Sequence, residues 1–235
     1  MNKTKGLLFT ASLVLAITFT ISCEDKEAKG KPAEAAPQPT EAAEAENSDK
    51  PSAETPSAAA PKEGTFTDPR DGKKYKSVKI GEQVWMAENL NFAAKGSKCY
   101  ENKPENCEQY GRLYNWETAM KACPSGWHLP NKDEYEVLDN TIDGGRGGGL
   151  KSSGYWENDG GGWDEFGFSA LPGGGGNSDG SFYSVVENGF WWSASEFEDN
   201  SSHAYYRLMG YDIGNAAIWY DSDKSYLYSV RCIQN

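Results

Sequence analysis

Apolar residues are distributed in three ways along this chain of 235 residues. Leu7 to Ile21 is apolar apart from a few Thr and Ser, and Lys3 and Lys5 precede it. Glu24 to Glu63 contains no aromatic residue and no Val, Ile, Leu or Met. Residues 64–235 alternate short apolar segments with polar turns and hold all eight Trp and all thirteen Tyr. The pattern predicts a leader, a linker and one folded domain.

The domain is predicted to open with three short strands and to continue with two helices. Thr65–Thr67, Tyr75–Ile80 and Gln83–Met86 are separated by turn residues, which is typical of a β-meander. An apolar face at i, i+3, i+4 and i+7 predicts a helix from Trp116 to Cys123. Asn131 and Glu134 have capping-box spacing at the start of the second helix.

The second helix is predicted to bury one apolar stripe and to stop at two glycines. The stripe is Tyr135, Leu138 and Ile142, and the glycines are Gly144 and Gly145. The rest of the domain is predicted to be strands and loops, with Gly160–Gly162 and Gly173–Gly176 as flexible breaks. The order of elements predicts an α+β fold. The candidate strands are Gly167–Leu171, Ser181–Val185, Phe190–Ser195, Ala204–Met209, Ala216–Tyr220 and Tyr226–Ile233.

The leader has the features of a secretory signal peptide, residues 1–22. Its apolar stretch is short for a transmembrane helix, which needs about 20 apolar residues. Ser22 places a small residue before Cys23. Cys23 resembles the lipidated cysteine of bacterial lipoproteins, which implies a diacylglycerol anchor in the cell envelope, with the outer membrane as the first expectation and a periplasmic or surface-exposed domain. The alternative is an ordinary signal peptide with a cysteine nearby.

Residues 23–63 are predicted to be a disordered linker. Ala, Glu, Pro, Lys, Ser and Thr dominate it, so it has too little apolar surface to offset its conformational entropy. A coil of this length spans roughly 35 Å. It would hold the domain 64–235 clear of a membrane surface.

The charge of the chain and its missing motifs exclude several functions. The domain has 25 acidic and 16 basic residues, so nucleic acid, which requires a basic face, is not an expected partner. Phosphate loops, G-x-S-x-G, H-E-x-x-H and EF-hand patterns are all missing. His128 and His203 are interpreted as hydrogen-bonded structural residues. The chain is therefore predicted to have no catalytic residues, no enzymatic activity and no cofactor.

Four cysteines remain after Cys23, and an even number in an exported chain favours two disulfides. Three pairings of Cys99, Cys107, Cys123 and Cys232 are possible. A zinc site lacks ligands, because the chain has no C-x-x-C and only two His.

Six motifs in order resemble the Fibrobacter succinogenes major paralogous domain, and the match covers nearly all of the residues from Thr65 to Gln234. That family brings no settled biochemical activity. The motifs are Trp85–Leu90, Tyr110–Tyr114, Cys123–Pro130, Phe166–Pro172, Trp192–Glu196 and Ser229–Cys232.

A more distant similarity, to C-type-lectin-like domains, rests on the helical half. It implies a domain with two helices and a mainly antiparallel, loop-rich β part. It pairs Cys123 with Cys232 and leaves Cys99 with Cys107. The Glu-Pro-Asn, Gln-Pro-Asp and Trp-Asn-Asp tripeptides of sugar-binding lectins are missing, so calcium-dependent sugar binding is not implied. The residues that carry the similarity are Trp116, Ala119, Cys123, Gly126, Leu129, Glu134 and Leu138.

The tryptophans suggest a ligand-binding loop. Trp85, Trp116, Trp127 and Trp192 lie in periodic segments and are predicted to be core. Trp156 and Trp163 flank Gly160–Gly162 in a polar loop, where exposed rings would stack on sugars or on a protein partner. The candidate binding residues are Trp156, Asn158, Asp159, Trp163 and Asp164, and the weak calcium candidates are Asp159, Asp164, Glu165 and Asp179.

These observations favour a lipid-anchored, non-catalytic binding module of the cell envelope that recognises glycan, such as a polysaccharide, or a surface protein. The alternative is a structural or assembly component that binds no small ligand. An envelope hydrolase is placed last. Two carboxylates can hydrolyse a glycoside, but no such pair can be picked out from the sequence among the many acidic residues.

Overall fold

The computed structural model describes residues 62–142, 147–212 and 218–235. The predicted signal peptide, Cys23 and nearly all of the predicted linker lie outside the described residues. So do Gly144 and Gly145, the predicted end of the second helix. Within the described ranges, no helix has the length and apolar character needed to cross a membrane.

The first sheet has five strands and confirms the predicted meander. β1 pairs with β2 and β2 with β3, all antiparallel, and β1 includes Lys62 and Glu63, the last two residues assigned to the linker. In spatial order the strands are β1 (Lys62–Thr67), β2 (Lys74–Ile80), β3 (Gln83–Met86), β12 (Ile233–Gln234) and β5 (Trp127–His128).

The second sheet has seven strands. Its main path is β10 (Ile218–Asp223), β9 (His203–Gly210), β8 (Asn188–Glu196), β11 (Tyr228–Ser229) and β4 (Leu113–Tyr114). β6 (Gly173–Gly176) pairs with β8 and with β7 (Phe182–Val185).

Most predicted strands of the second half are confirmed, and two are corrected; the first two residues of the predicted strand Ala216–Tyr220 lie outside the described residues. The segment Tyr226–Ile233 divides into β11 and β12, which belong to different sheets. The segment Gly167–Leu171 is not a strand; it forms one bridge, between Ala170 and Lys151. Ser169 and Gly167 in this segment have positive φ, which interrupts an extended backbone.

The described part of the chain has three short α-helices: α1 (Pro104–Tyr110), α2 (Trp116–Ala119) and α3 (Lys132–Thr141). α3 confirms the predicted capping box: the Asn131 side chain accepts from the Glu134 N–H, and the Glu134 carboxylate accepts from the Asn131 N–H. α2 is shorter than predicted, because the chain turns at Met120, whose side chain is 42% exposed. The sequence did not predict α1.

The four glycines of β6 correct the expectation of a flexible break. All four are buried, and they form a strand between β7 and β8. At Gly174 φ is +64°, and a Cβ there would lie 2.6 Å from the Tyr183 carbonyl oxygen. Glycine is needed here because other backbone and a Tyr100 ring carbon approach too closely for a side chain.

The core consists of two main clusters on opposite faces of β8. Trp191 packs with Trp85, Tyr135 and Leu138, while Trp192 packs with residues such as Tyr114 and Tyr228. Successive residues of a strand point to opposite faces, so both adjacent indoles are buried. Trp85, Trp116 and Trp192 are core residues as predicted, whereas Trp127 is half-buried and stacks on Phe66 at 4.3 Å between ring centroids.

Two disulfides close the domain, Cys99–Cys107 and Cys123–Cys232. Both pairings that the lectin-like similarity implied are confirmed. The domain is α+β, with mostly antiparallel sheets and few helices. The lectin-like fold itself stays a prediction.

Candidate functional site

The two tryptophans of the candidate loop have opposite environments. Trp156 is only 5% exposed, and its Nε1 donates to the Ala170 carbonyl oxygen at 3.2 Å. The Lys151 ammonium lies 5.0 Å from the centre of its ring. The expected exposed ring is therefore wrong for Trp156, because the loop folds back and inserts this indole into the core around Trp85 and Trp191.

Trp163 is the most exposed large hydrophobic residue of the described chain, at 63%. Its indole lies against Gly148, where a Cβ would come within 2.2 Å of the ring. Its Nε1 donates to Glu165 at 3.1 Å, and its backbone N–H donates to the Gly148 carbonyl at 3.0 Å. These contacts fix the ring while leaving much of it open to solvent.

Close backbone packing holds this loop in place. A Cβ on Gly162 would lie 1.8 Å from the Gly148 carbonyl oxygen, and a Cβ on Gly160 would lie 2.2 Å from the Tyr211 carbonyl oxygen. The glycines between the two tryptophans therefore allow a tight crossing of two chain segments, and their expected role as flexible breaks is corrected.

Asp164 connects the exposed tryptophan to a cavity. Its carboxylate accepts from the Ser169 N–H at 2.7 Å and from the Ser169 hydroxyl at 2.5 Å, which closes the turn 164–169. This turn faces β1 and β2 across a cavity of about 510 Å³, which we call the loop groove. It is lined by Glu63, Gly64, Thr65, Lys76, Ser77, Ala87, Asp164, Gly167 and Ser169.

The loop groove has mixed polar chemistry. Lys76 contributes an ammonium, Asp164 and Glu63 contribute carboxylates, and the remaining lining is small or hydroxyl-bearing. Its volume lies within the range of roughly 300–1,000 Å³ that small-ligand sites occupy. Such a surface offers both donors and acceptors to a hydrated ligand.

Of the five predicted binding residues, only Asp164 lines the groove. Asn158 and Asp159 are exposed and sit in a 3₁₀ turn, Glu157–Asp159, with positive φ at both. The sequence missed Lys76, Ser77 and Ser169, since nothing in the periodicity indicates that the turn 164–169 faces β2.

The weak calcium candidates do not form a cluster of acidic side chains in the described residues. No group of three or more His, Cys, Asp or Glu side chains there comes close enough to hold an ion. Asp179 lies in a separate loop, where hydrogen bonds from the Ser181 side chain and backbone lower the pKa of its carboxyl.

Both histidines are hydrogen-bonded to acidic or amide side chains, as predicted. His128 Nε2 lies 2.7 Å from the Glu134 carboxylate, and its Nδ1 lies 2.7 Å from the Asn235 side-chain oxygen. His203 Nδ1 lies 2.7 Å from the Asp221 carboxylate. His128 thereby connects the cap of α3 to the C-terminal residue.

A buried polar network lies behind the loop groove. Asn89 Oδ1 accepts from Trp191 Nε1 at 2.9 Å and from Arg231 Nη2 at 3.0 Å. Arg231 is fully buried and donates further to the carbonyls of Phe168 and Ser169. Burial lowers the pKa of its guanidinium to about 10, so it keeps its charge at neutral pH.

This network fixes the turn that walls the groove, because Arg231 holds the carbonyls of Phe168 and Ser169. It also joins three of the six motifs found in the sequence, Trp85–Leu90, Phe166–Pro172 and Ser229–Cys232, and it includes Trp191, which directly precedes a fourth motif. Residues of these motifs therefore hold the turn 164–169 in place, whereas Trp163 belongs to none of the six motifs.

The described chain is thus a small disulfide-bonded α+β domain with an exposed tryptophan, Trp163, directly before Asp164 in the wall of a polar groove. The chain belongs to the Fibrobacter succinogenes major domain family, whose model matches residues 78–234. No curated protein and no solved structure matched the chain.

Proposed function

We propose that this protein is a lipid-anchored, non-catalytic binding module of the bacterial cell envelope that recognises a glycan through Trp163 and the loop groove. The observation that carries the proposal is Trp163, a residue that is 63% exposed and whose indole is fixed on Gly148 and by Glu165. A large aromatic ring that is already ordered loses little conformational entropy when a ligand packs against it.

The chemistry of the groove supports a polyhydroxylated ligand. A sugar ring presents apolar C–H faces that can pack on an indole, and its hydroxyls can reach carboxylate, ammonium and serine groups. Lys76, Asp164 and Ser169 supply those groups within one cavity. A surface protein with an apolar anchor beside polar groups is the second kind of partner that this chemistry suits.

The non-catalytic part of the proposal rests on how the acid–base candidates are used. His128 and the Glu134 carboxylate bond each other, and Glu134 also caps α3. His203 is held by Asp221. General acid–base catalysis needs a side chain within hydrogen-bond reach of the substrate, and these groups are occupied in joining elements of the fold.

Trp163→Ala is expected to weaken binding to a polysaccharide that the parent retains by at least about tenfold, because it removes the exposed stacking surface. Binding would be measured by a glycan array followed by affinity electrophoresis or pull-down. The thermal unfolding midpoint is expected to stay close to that of the parent, since the ring is mainly exposed.

Two control variants separate a site effect from a general one. Tyr220→Ala removes another exposed ring, 45% exposed on β10, and is expected to leave binding unchanged. Trp156→Ala removes a buried ring and should destabilise the fold by about 3–5 kcal/mol. Parent-like binding by Trp163→Ala would refute the site. If the parent retains no glycan, a structural or assembly role becomes the better reading.

Cys23→Ser is expected to move the protein from the membrane fraction to the soluble fraction, because a serine hydroxyl cannot receive the thioether-linked lipid. Globomycin, which blocks lipoprotein signal cleavage, should leave an uncleaved precursor in the parent. Ser22→Ala keeps a small residue before the cysteine and serves as the matched control. Unchanged membrane retention of Cys23→Ser would rule out the anchor.

A further inference from the structure

An arginine lies directly against one of the two disulfides. Arg112 Nη1 is 3.5 Å from Cys99 Sγ and 3.4 Å from Cys107 Sγ. The same guanidinium is held by Ser97, whose hydroxyl accepts from Nε at 2.8 Å and whose carbonyl accepts from Nη2 at 3.0 Å. Its position over the two sulfurs is therefore fixed by two further hydrogen bonds.

The other disulfide has a different environment. Among the hydrogen bonds of the described residues, none reaches the sulfurs of Cys123 or Cys232. Arg70, the nearby cation, donates to the carbonyl oxygens of Ala122 and Cys123. Cys232 has no exposed surface, and Cys123 is half-buried, as Cys99 is. The two bridges of one domain thus differ in whether a fixed positive charge touches the sulfur atoms.

A positive charge beside sulfur favours the thiolate, which forms when a disulfide is reduced. A cation at this distance stabilises the anion relative to the neutral thiol, and a stabilised thiolate is also a better leaving group in thiol–disulfide exchange. Arg112 touches both sulfurs, so whichever cysteine leaves first does so next to the guanidinium.

The two sulfurs differ in accessibility. Cys107 is 5% exposed within α1, while Cys99 is half-buried just before the 3₁₀ turn Tyr100–Asn102. An external thiolate therefore reaches Cys99 more readily than Cys107. Cys107 also lines a second cavity, of about 230 Å³, together with Tyr110 and Asn89.

We propose that Cys99–Cys107 is a thiol–disulfide exchange site, in which a dithiol reductant attacks Cys99 and Arg112 stabilises the departing Cys107 thiolate. The thiolate of the dithiol forms a bond to Cys99 Sγ, the bond between Cys99 and Cys107 breaks, and its electron pair stays on Cys107. The second thiol of the reductant then attacks the mixed disulfide and releases Cys99. Two electrons and two protons pass to the protein, and the dithiol becomes a disulfide.

Reduction at this site would act locally. The bridge spans a sequence separation of 8 residues, and Tyr100 inside that loop stays packed against Phe182, at 5.3 Å between ring centroids. What the reduction releases is the link between Cys99 and α1, whose residues Cys107, Glu108 and Tyr110 form one wall of the smaller cavity. The exchange site thus controls how firmly that wall is held, while Cys123–Cys232 keeps the domain closed.

The test is a redox titration of the full chain with mixtures of reduced and oxidised dithiothreitol, followed by acid quenching, alkylation and peptide mass spectrometry. Cys99–Cys107 is expected to become reduced first, with an equilibrium constant at least about tenfold more favourable to reduction than that of Cys123–Cys232. Arg112→Gln is expected to lower the equilibrium constant for reduction of Cys99–Cys107 by about tenfold, so that this bridge is harder to reduce. The constant for Cys123–Cys232 should stay unchanged.

Three further variants test the role of the arginine. Arg112→Lys keeps the charge and should restore part of the effect. Lys103→Gln removes a positive charge from the same loop, where Lys103 pairs with Glu101 at 2.6 Å, and should change little. Ser97→Ala removes the hydroxyl that accepts from Arg112 Nε, leaves the bond to the Ser97 carbonyl, and should shift the constant in the same direction as Arg112→Gln, but by less.

Simultaneous reduction of both bridges, or earlier reduction of Cys123–Cys232, would overturn the proposal. So would an Arg112→Gln variant that folds and titrates like the parent. If Arg112→Gln does not fold, Arg112→Lys and Ser97→Ala decide, because the shorter loop of Cys99–Cys107 already favours its earlier reduction in the parent. The readout is thiol chemistry rather than ligand binding, so its result is independent of the proposed glycan recognition.

Discussion

Replacing both Cys123 and Cys232 with alanine is expected to lower the free energy of unfolding by about 4–5 kcal/mol. The bridge spans a sequence separation of 109 residues, and a cross-link over so long a loop removes much of the conformational entropy of the unfolded chain. It also joins the end of the α2 region to the segment between β11 and β12, two strands that belong to different sheets. Denaturation by urea, followed by tryptophan fluorescence, measures the loss.

The second disulfide of the chain is the matched control. Replacing both Cys99 and Cys107 with alanine opens a loop with a separation of only 8 residues, for which the same relation gives about 2.5 kcal/mol. The difference between the two double variants tests the loop-length argument without comparing different proteins. Equal losses, or a larger loss for the short loop, would contradict it and would indicate that strain or local packing controls the stability of both bridges.

Local signals in the sequence were sufficient for the elements that depend on nearby residues. The meander followed from turn residues between alternating strands, and β1 to β3 lie where these signals place them. α3 followed from Asn131 and Glu134, because a capping box is formed within four residues. Neither case needs information from a distant part of the chain.

The corrected elements depend on long-range packing. Periodicity extended α2 to Cys123, but Cys123 is bonded to Cys232 and the chain turns before reaching it. Four consecutive glycines indicate flexibility when only propensity is considered. β6 is nevertheless a buried strand, because its neighbours leave no room for side chains and provide the backbone partners.

The sequence correctly predicted an exposed ring for only one of the two loop tryptophans, Trp163. Trp156 and Trp163 have similar polar and glycine-rich surroundings in the sequence, so composition cannot tell them apart. The structure separates them, because Trp156 reaches the Ala170 carbonyl inside the core while Trp163 lies on Gly148 at the surface. The cavity beside Asp164 was not predictable, since it requires β2 to face a turn some 90 positions later along the chain.

The buried charge of Arg231 was equally invisible to pattern analysis, although its motif was recognised. An arginine between Val230 and Cys232 interrupts an apolar segment and would usually be assigned to solvent. It is buried because Asn89 and two main-chain carbonyls accept its hydrogen bonds. Segments that are distant in sequence therefore depend on one another, because the single side-chain oxygen of Asn89 accepts hydrogen bonds from both Trp191 and Arg231.

Asn89→Leu is expected to lower the free energy of unfolding by about 3–5 kcal/mol, because it leaves the buried guanidinium of Arg231 without its side-chain acceptor. The Trp191 indole N–H and the Tyr110 carbonyl would lose their partners as well. Leucine is close to asparagine in size, so the loss measures hydrogen bonding more than volume. Since Arg231 also holds the wall of the loop groove, ligand binding should weaken together with stability.

A double-mutant cycle with Arg231→Met distinguishes this network from two independent effects. If Asn89 and Arg231 stabilise each other, the Asn89→Leu/Arg231→Met variant should be more stable than the sum of the two single losses predicts, with a coupling of about 1–3 kcal/mol. Methionine fills much of the space without a charge to satisfy. Two exposed side chains with separate acidic partners, Lys79 and Lys103 each changed to Gln, should show no coupling in the same assay. Strict additivity for Asn89 and Arg231 would mean that their hydrogen bond does not support the turn 164–169, and the link between the family motifs and the groove would then fail.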